Sequence, residues 1–242
     1  DLHSFPTRRS SDLGNLLVLA ITSLMLSAVL NNSSRRVNEQ HYREGVESFR
    51  DFLAGTFEDI DSVKNDVLGQ IKRCNSSPFA GDNTVAWRGS AECFYSGREV
   101  TITYDRSSGS TKLTSRSVKA FIDPSGATEP QYIAVMDARE ANLREQDIDW
   151  GVGAMQPKPH SNNGYSNYKM RIIRNPKSGA KIFQIQDSAG GAWRTPENNI
   201  IFCMKNPFYN DNQWQMVTVD KNAINSSGIT TNNGRDSCGV NT

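Results

Sequence analysis

Histidine, cysteine and net charge are all scarce in this chain. Three histidines and four cysteines among 242 residues leave little material for a His/Cys metal cluster, and no CxxC pair occurs. Lys plus Arg number 27 against 26 Asp plus Glu, so neither sign dominates, and a strongly basic nucleic-acid binder is excluded. There is no acidic tail and no long run of one charge. Nucleotide and metalloprotease signatures are also missing: no GxxxxGK[ST], no GxGxxG after a strand, no HExxH. A mean hydropathy of −0.58 excludes a polytopic membrane protein. One apolar run remains, and it organises the rest of the reading.

Asp1–Leu13, DLHSFPTRRSSDL, back-translates codon by codon into the tail of a widely used short-read sequencing adapter. Residues 1–13 are therefore read as an adapter-derived artefact and set aside from fold reasoning. The authentic sequence then begins near Gly14, and His41 and His160 are the histidines left to consider.

Leu16–Leu30 reads LLVLAITSLMLSAVL, without charge, proline or glycine. Fifteen helical residues span about 22 Å, against a hydrocarbon core of about 30 Å. A membrane helix is the leading reading. A cleaved signal peptide and a buried soluble helix are the others, and the abrupt polar turn Asn31-Asn32-Ser33-Ser34-Arg35-Arg36 argues against the last. From Val37 to Arg73 apolar residues recur at Tyr42, Val46, Phe49, Leu53, Phe57, Ile60, Val63, Val67 and Ile71. Steps of three and four make one stripe of an amphipathic helix. Gly45, Gly55 and Gly69 lie within it and are read as places for local bends, since each is unfavourable by up to about 1 kcal/mol relative to Ala.

From Pro78 onward the pattern shortens to β segments. Glu99–Tyr104, Val118–Ile122, Tyr132–Met136, Tyr168–Arg174, Lys181–Ile185, Asn199–Met204 and Trp214–Val219 are the candidate strands. Asn175-Pro176-Lys177-Ser178-Gly179 reads as a hairpin loop. Arg139–Gln146 reads as a short helix and Met155–Asn167 as a long loop. Trp214, alternating with Met216 and Thr218, is assigned to the core. Trp87 and Trp193 sit in polar stretches, where loop packing is preferred over an exposed contact role. The fold class expected is α+β: a long N-terminal helix, transmembrane then amphipathic, followed by a mostly antiparallel β-sheet head. Four segments follow: 1–13 artefact, 14–33 membrane segment, 34–75 amphipathic helix, 76–242 β-rich extracytoplasmic head.

The cysteines are Cys74, Cys93, Cys203 and Cys238. Beyond a membrane segment the compartment is oxidising, and an even count suggests two disulfides. Three connectivities are open, with the sequence-near pairs Cys74–Cys93 and Cys203–Cys238 favoured.

Catalytic chemistry finds little support. Asp187-Ser188-Ala189-Gly190-Gly191 resembles the GDSGG context of trypsin-like proteases, but Ala189 breaks the spacing, and a Ser nucleophile needs a positioned base. Acidic pairs such as Glu58-Asp59 and Asp147 with Asp149 occur, but carboxylates are common on solvated surfaces, so no glycosidase pair is read from them. Asn210-Asp211-Asn212 and Asp236 offer hard oxygen ligands, with polar loops the plainer reading. The expectation is a non-enzyme with no catalytic residues, cofactor, metal or small-molecule substrate, and with no nucleic-acid partner.

The order of parts resembles the type IV pilin and pseudopilin family. Leu16-Leu17-Val18-Leu19-Ala20-Ile21 lies over the family's apolar LLVVIAI run. The polar break, the amphipathic helix to about Arg73 and a β head with a C-terminal disulfide are similar in architecture. The carboxylate by which that family registers neighbouring subunits falls on Asn15, which cannot form the same ion pair. The resemblance implies a structural subunit, a minor pilin or pseudopilin, of a pilus, secretion or competence filament. Its assembly and membrane residues would be Leu16, Leu17, Val18, Leu19, Ile21, Leu24, Leu26, Val29 and Leu30. Its partners would be other such subunits and, before assembly, the lipid bilayer. Its place would be the cell envelope, as a single-pass inner-membrane protein or an extracellular filament. The alternative is a membrane-anchored or secreted β-domain that binds or adheres.

Overall fold

Between Pro6 and Pro78 no proline interrupts the chain, and helix α1, Arg9–Asp61, runs through 53 residues of that stretch. The computed structural model describes residues 9–61, 93–105, 110–121, 131–134, 143–148, 152–154, 168–175, 178–186, 192–205, 214–233 and 238. The chain forms two units, Asp1–Arg43 and Glu44–Thr242, and α1 contributes to each. The polar residues Asn31–Ser34 are helical, so the change from apolar to polar composition does not end the helix. Positions 62–75 of the expected amphipathic segment lie outside the described residues.

The unit Glu44–Thr242 is α+β with every strand pairing antiparallel. One sheet contains β1 (Cys93–Asp105), β2 (Ser110–Phe121), β3 (Gln131–Ala134), β4 (Arg144–Ile148), β6 (Tyr168–Arg174) and β7 (Lys181–Gln186). Its order is β3-β2-β1-β6-β7, with β4 also paired to β2. The second sheet runs β10-β9-β8-β5, from β5 (Gly153–Ala154), β8 (Ile200–Lys205), β9 (Trp214–Val219) and β10 (Ile229–Asn233). Asn175–Ala180 joins β6 to β7, as the Asn-Pro and Gly composition predicts. Asn175 donates its backbone N–H to the Ala180 carbonyl at 2.8 Å, and Gly179 takes a φ of +70°, open to glycine at little strain.

The helix residues of this unit pack against both sheets. Val46, Phe49, Leu53, Phe57 and Ile60 of the expected stripe are buried, and so are Phe52 and Thr56, which the stripe did not include. The stripe is wider because α1 has two neighbours. Phe49 meets Phe202 of the second sheet edge-on, with centroids 5.2 Å apart, and Phe57 meets Phe183 of the first at 6.4 Å. Tyr168 against Phe202, at 5.7 Å, ties the two sheets together. Burying each such ring stabilises the fold by roughly 1.5–3 kcal/mol.

One expectation is overturned here. Residues 144–146, assigned to a short helix at Arg139–Gln146, are strand. β4 pairs its Ile148–Arg144 with Thr111–Ser115 of β2, a strand far longer than the Val118–Ile122 segment expected. Hydrogen bonding along that edge outweighs the helix preference of Arg, Glu and Gln. β4 alternates in two directions. Arg144, Gln146 and Ile148 meet α1, while Glu145 bonds Lys112 at 3.2 Å on the exposed side. The glycines of α1 match this seam. A Cβ at Gly45 would stand 2.9 Å from Cγ2 of Val152 and 3.4 Å from Cγ2 of Ile148. A Cβ at Gly55 would collide with the Arg144 guanidinium, which lies 4.9 Å from the Phe52 ring centroid. Between them, Gln146 donates to the Ser48 hydroxyl. Gly45 and Gly55 make room for Val152, Ile148 and Arg144 to pack close against α1.

Trp214 is buried, as expected, but away from the helix. Val217 and Val219 of β9 are fully buried in the main core, with Phe202 facing Val217 across the strand pair. Trp214 instead clusters with Cys203 and Cys238, with Ile201 and Met216 partly buried against them.

Candidate functional site

The side chains of the apolar segment lie in the unit Asp1–Arg43. Every large apolar residue from Leu16 to Leu30 is exposed, from 45% at Ile21 to 69% at Leu24. That set includes Leu16, Leu17, Val18, Leu19, Ile21, Leu24, Leu26, Val29 and Leu30, and adds Met25. The exposure has no sidedness. A helix apolar all round has no face that water favours, so it requires a bilayer or neighbouring apolar surfaces. Asn15 is exposed at the start of this segment.

Its polar groups are closed internally. Thr22 Oγ1 donates to the carbonyls of Val18 at 2.9 Å and Leu19 at 3.0 Å. Ser23 Oγ donates to Ala20 O, and Ser27 Oγ to Leu24 O, each at 2.9 Å. These are the three hydroxyls between Leu16 and Leu30, and each is satisfied by its own helix, as a hydrocarbon environment demands. Because the helix continues through Asn31–Ser34, the uncharged stretch from Gly14 to Ser34 spans about 31 Å, close to the bilayer core. The chain thus carries a helix long and apolar enough to cross a membrane, a property that an N-terminal signal sequence shares.

The C-terminal disulfide is formed. Cys203 on β8 bonds Cys238 with Cα atoms 5.6 Å apart, across 35 residues of sequence. The pair is buried, and it fastens the tail to the side of the second sheet that carries Trp214. Cys74 lies outside the described residues. Cys93 opens β1, and its side chain is likewise outside them, so the expected Cys74–Cys93 pair lies outside the described residues.

Asp187–Gly191, His160, Asp149, Asn210–Asn212 and Asp236 lie outside the described residues, as do Trp87 and Trp150. His41 is half-buried on α1. Among the described residues no group of three or more His, Cys, Asp or Glu converges as a metal site would require.

A charged row on the first sheet escaped the sequence reading. Register places Arg116, Glu99, Arg171 and Gln184 side by side across β2, β1, β6 and β7. Arg171 Nε donates to Gln184 Oε1 at 2.8 Å, and its guanidinium stacks 4.1 Å from the Trp193 ring. Burial pushes the Glu99 carboxyl above its ordinary range, against the opposing pull of Lys169, Arg171 and Arg116. Alternation within each strand marks these side chains as sharing a face type, but only cross-strand register brings them together. Trp193 packs on this row as a loop residue. Glu99 and Arg171 are each under a tenth exposed, so the centre of the row is closed to solvent.

No family model, curated protein or solved structure matches this chain.

Proposed function

We propose that the protein is a structural subunit of a type IV pilin-like or pseudopilin-like filament, held in the membrane by its N-terminal helix before assembly. The carrying observation is the Leu16–Leu30 helix, apolar on every side, exposed throughout, and with all three hydroxyls returned to its own carbonyls. The same surface suits lipid and suits copies of itself, which bury apolar area at about 25 cal/mol per Å². The Cys203–Cys238 disulfide supports maturation of the Glu44–Thr242 unit in an oxidising compartment, on the far side of an inner membrane. This role asks for no catalytic residue.

The test uses the full chain with a photo-crosslinking residue at Ile21, expressed in cells with an oxidising periplasm. The reading expects retention in carbonate-washed membranes and a ladder of self-crosslinks. Leu17→Asp places a carboxylate in the apolar run, about 3 kcal/mol unfavourable, and should abolish both signals. A soluble product cleaved beyond Leu30 would identify a signal sequence and overturn the proposal. Membrane retention without self-crosslinks would favour the anchored β-domain reading.

A further inference from the structure

Four Asn-X-Ser sequons occur, at Asn31, Asn32, Asn75 and Asn225, and none carries proline at the middle position. The fold separates them. Asn31 and Asn32 lie within α1, where residues two apart point away from each other, so neither serine hydroxyl approaches its asparagine amide. Asn75 lies outside the described residues. Asn225 stands in the connection between β9 and β10, with an extended backbone at φ −151° and ψ 176°, just ahead of the short turn Ser226–Gly228. Its Oδ1 accepts from the Ser227 backbone N–H at 3.2 Å and from the Ser227 hydroxyl at 2.6 Å. Those two donors assign the amide oxygen, so Nδ2 takes the other position on the group. Asn225 and Ser227 are both exposed. The connection is closed around them: Asp220 donates its N–H to the Gly228 carbonyl at 2.9 Å, and Lys181 Nζ donates to the Ile224 carbonyl at 2.7 Å. Ile224 is 57% exposed, the one large apolar side chain open to solvent beyond α1 among the described residues.

We propose that Asn225 is the acceptor of an N-linked glycan, transferred from an oligosaccharide carried on a polyprenyl pyrophosphate. The inference rests on the reading that Glu44–Thr242 matures on the oxidising side of the membrane, and adds a modification to it. In the transfer, Nδ2 of Asn225 forms a bond to the anomeric carbon of the first sugar. The bond from that carbon to the pyrophosphate oxygen breaks, and the polyprenyl pyrophosphate leaves with the electron pair. One Nδ2 proton passes to a base of the transferase, and nothing is oxidised or reduced. The turn presents the amide and the Ser227 hydroxyl together, on an extended backbone that a transferase can grip. The first sugar then stands beside Ile224 and covers apolar surface that the protein itself leaves open.

The experiment translates the full chain in the presence of endoplasmic-reticulum microsomes. It reads protease protection, gel mobility with and without endoglycosidase H, and the mass of the peptide that carries Asn225. The expected result is a protected chain whose Asn225 peptide bears a glycan trimmed by the enzyme to one N-acetylglucosamine. N225Q and S227A each lose that glycan, S227T keeps it, and N31Q/N32Q leaves it unchanged. Formation of the Cys203–Cys238 disulfide checks that each variant folds. A protected chain with that disulfide formed and Asn225 unmodified overturns the proposal and leaves the membrane reading standing. A glycan on Asn31 or Asn32 in place of Asn225, or one on Asn225 that survives S227A, overturns it as well. A chain wholly open to protease overturns the orientation on which the inference rests, and the inference with it.

Discussion

Gly45→Ala separates two accounts of the glycines in α1. If Gly45 only loosens the helix, alanine improves it by up to about 1 kcal/mol. The structure gives the opposite sign. The new Cβ would lie 2.9 Å from Cγ2 and 3.3 Å from Cβ of Val152, and 3.4 Å from Cγ2 of Ile148. Val152 and Ile148 are β-branched, stiff at χ1 and almost fully buried, so they have little room to yield. Overpacking of this kind is unfavourable by about 1–3 kcal/mol. Set against the propensity gain, the net loss is about 1 kcal/mol, or about 3 °C in Tm for a unit of this size. Gly55→Ala is the internal control. Its obstacle is the far end of the Arg144 side chain, which can swing aside, losing a ring contact of about 0.5–1 kcal/mol. That loss offsets the propensity gain, and Tm should stay near the parent value. The assay is thermal unfolding of the full chain in detergent micelles, read by near-UV circular dichroism. Both variants melting about 3 °C above the parent would refute the strand–helix seam and restore the bend account.

Two further outcomes test the β unit. Removing the disulfide by C203S/C238S frees a loop of 35 residues and should lower stability by about 4 kcal/mol, with Trp214 emission shifting to the red; an unchanged melt and spectrum would show that the tail is held by other contacts. Burial raises the Glu99 carboxyl above 4.5, so ionising it opposes folding, an effect absent below the unfolded value and complete above the folded one. Glu99→Gln should therefore melt above the parent at pH 7 and converge with it as pH falls below 4.5; a variant less stable at pH 7 would show that the three cations outweigh burial.

The strands most legible in sequence were short runs rich in β-branched and aromatic residues between turn residues. β6 and β9 stand at Tyr168–Arg174 and Trp214–Val219 as expected, β7 runs one residue longer, and β8 is shifted by one residue at each end. The unread strands share a chemistry. β4 (REQDI) and β10 (ITTNN) carry residues that local propensity assigns to helix or loop, and the N-terminal half of β2 turns Thr111 and Ser115 inward beside Leu113. These segments are strands because a neighbour's backbone edge pairs with them, and that edge is remote in sequence. The charged row from Arg116 to Gln184 was hidden for the same reason. The Leu16–Leu30 segment was legible in full because its property is compositional and local.

One helix therefore obeys two burial rules. From Glu44 to Asp61 α1 buries a face two sheets wide, and its exceptions, Gly45 and Gly55, are small where a strand passes close. From Leu16 to Leu30 it buries nothing, and its exceptions, Thr22, Ser23 and Ser27, are polar groups that turn back upon the helix. A soluble helix has no reason to be apolar on all sides, because water would contact the whole circumference. The Leu16–Leu30 sequence would be a standing liability for aggregation unless lipid or further apolar helices surround it. The requirement for such surroundings is the physical content of the subunit proposal. It follows from the burial pattern of α1 alone, without any contribution from the chemistry of the β unit.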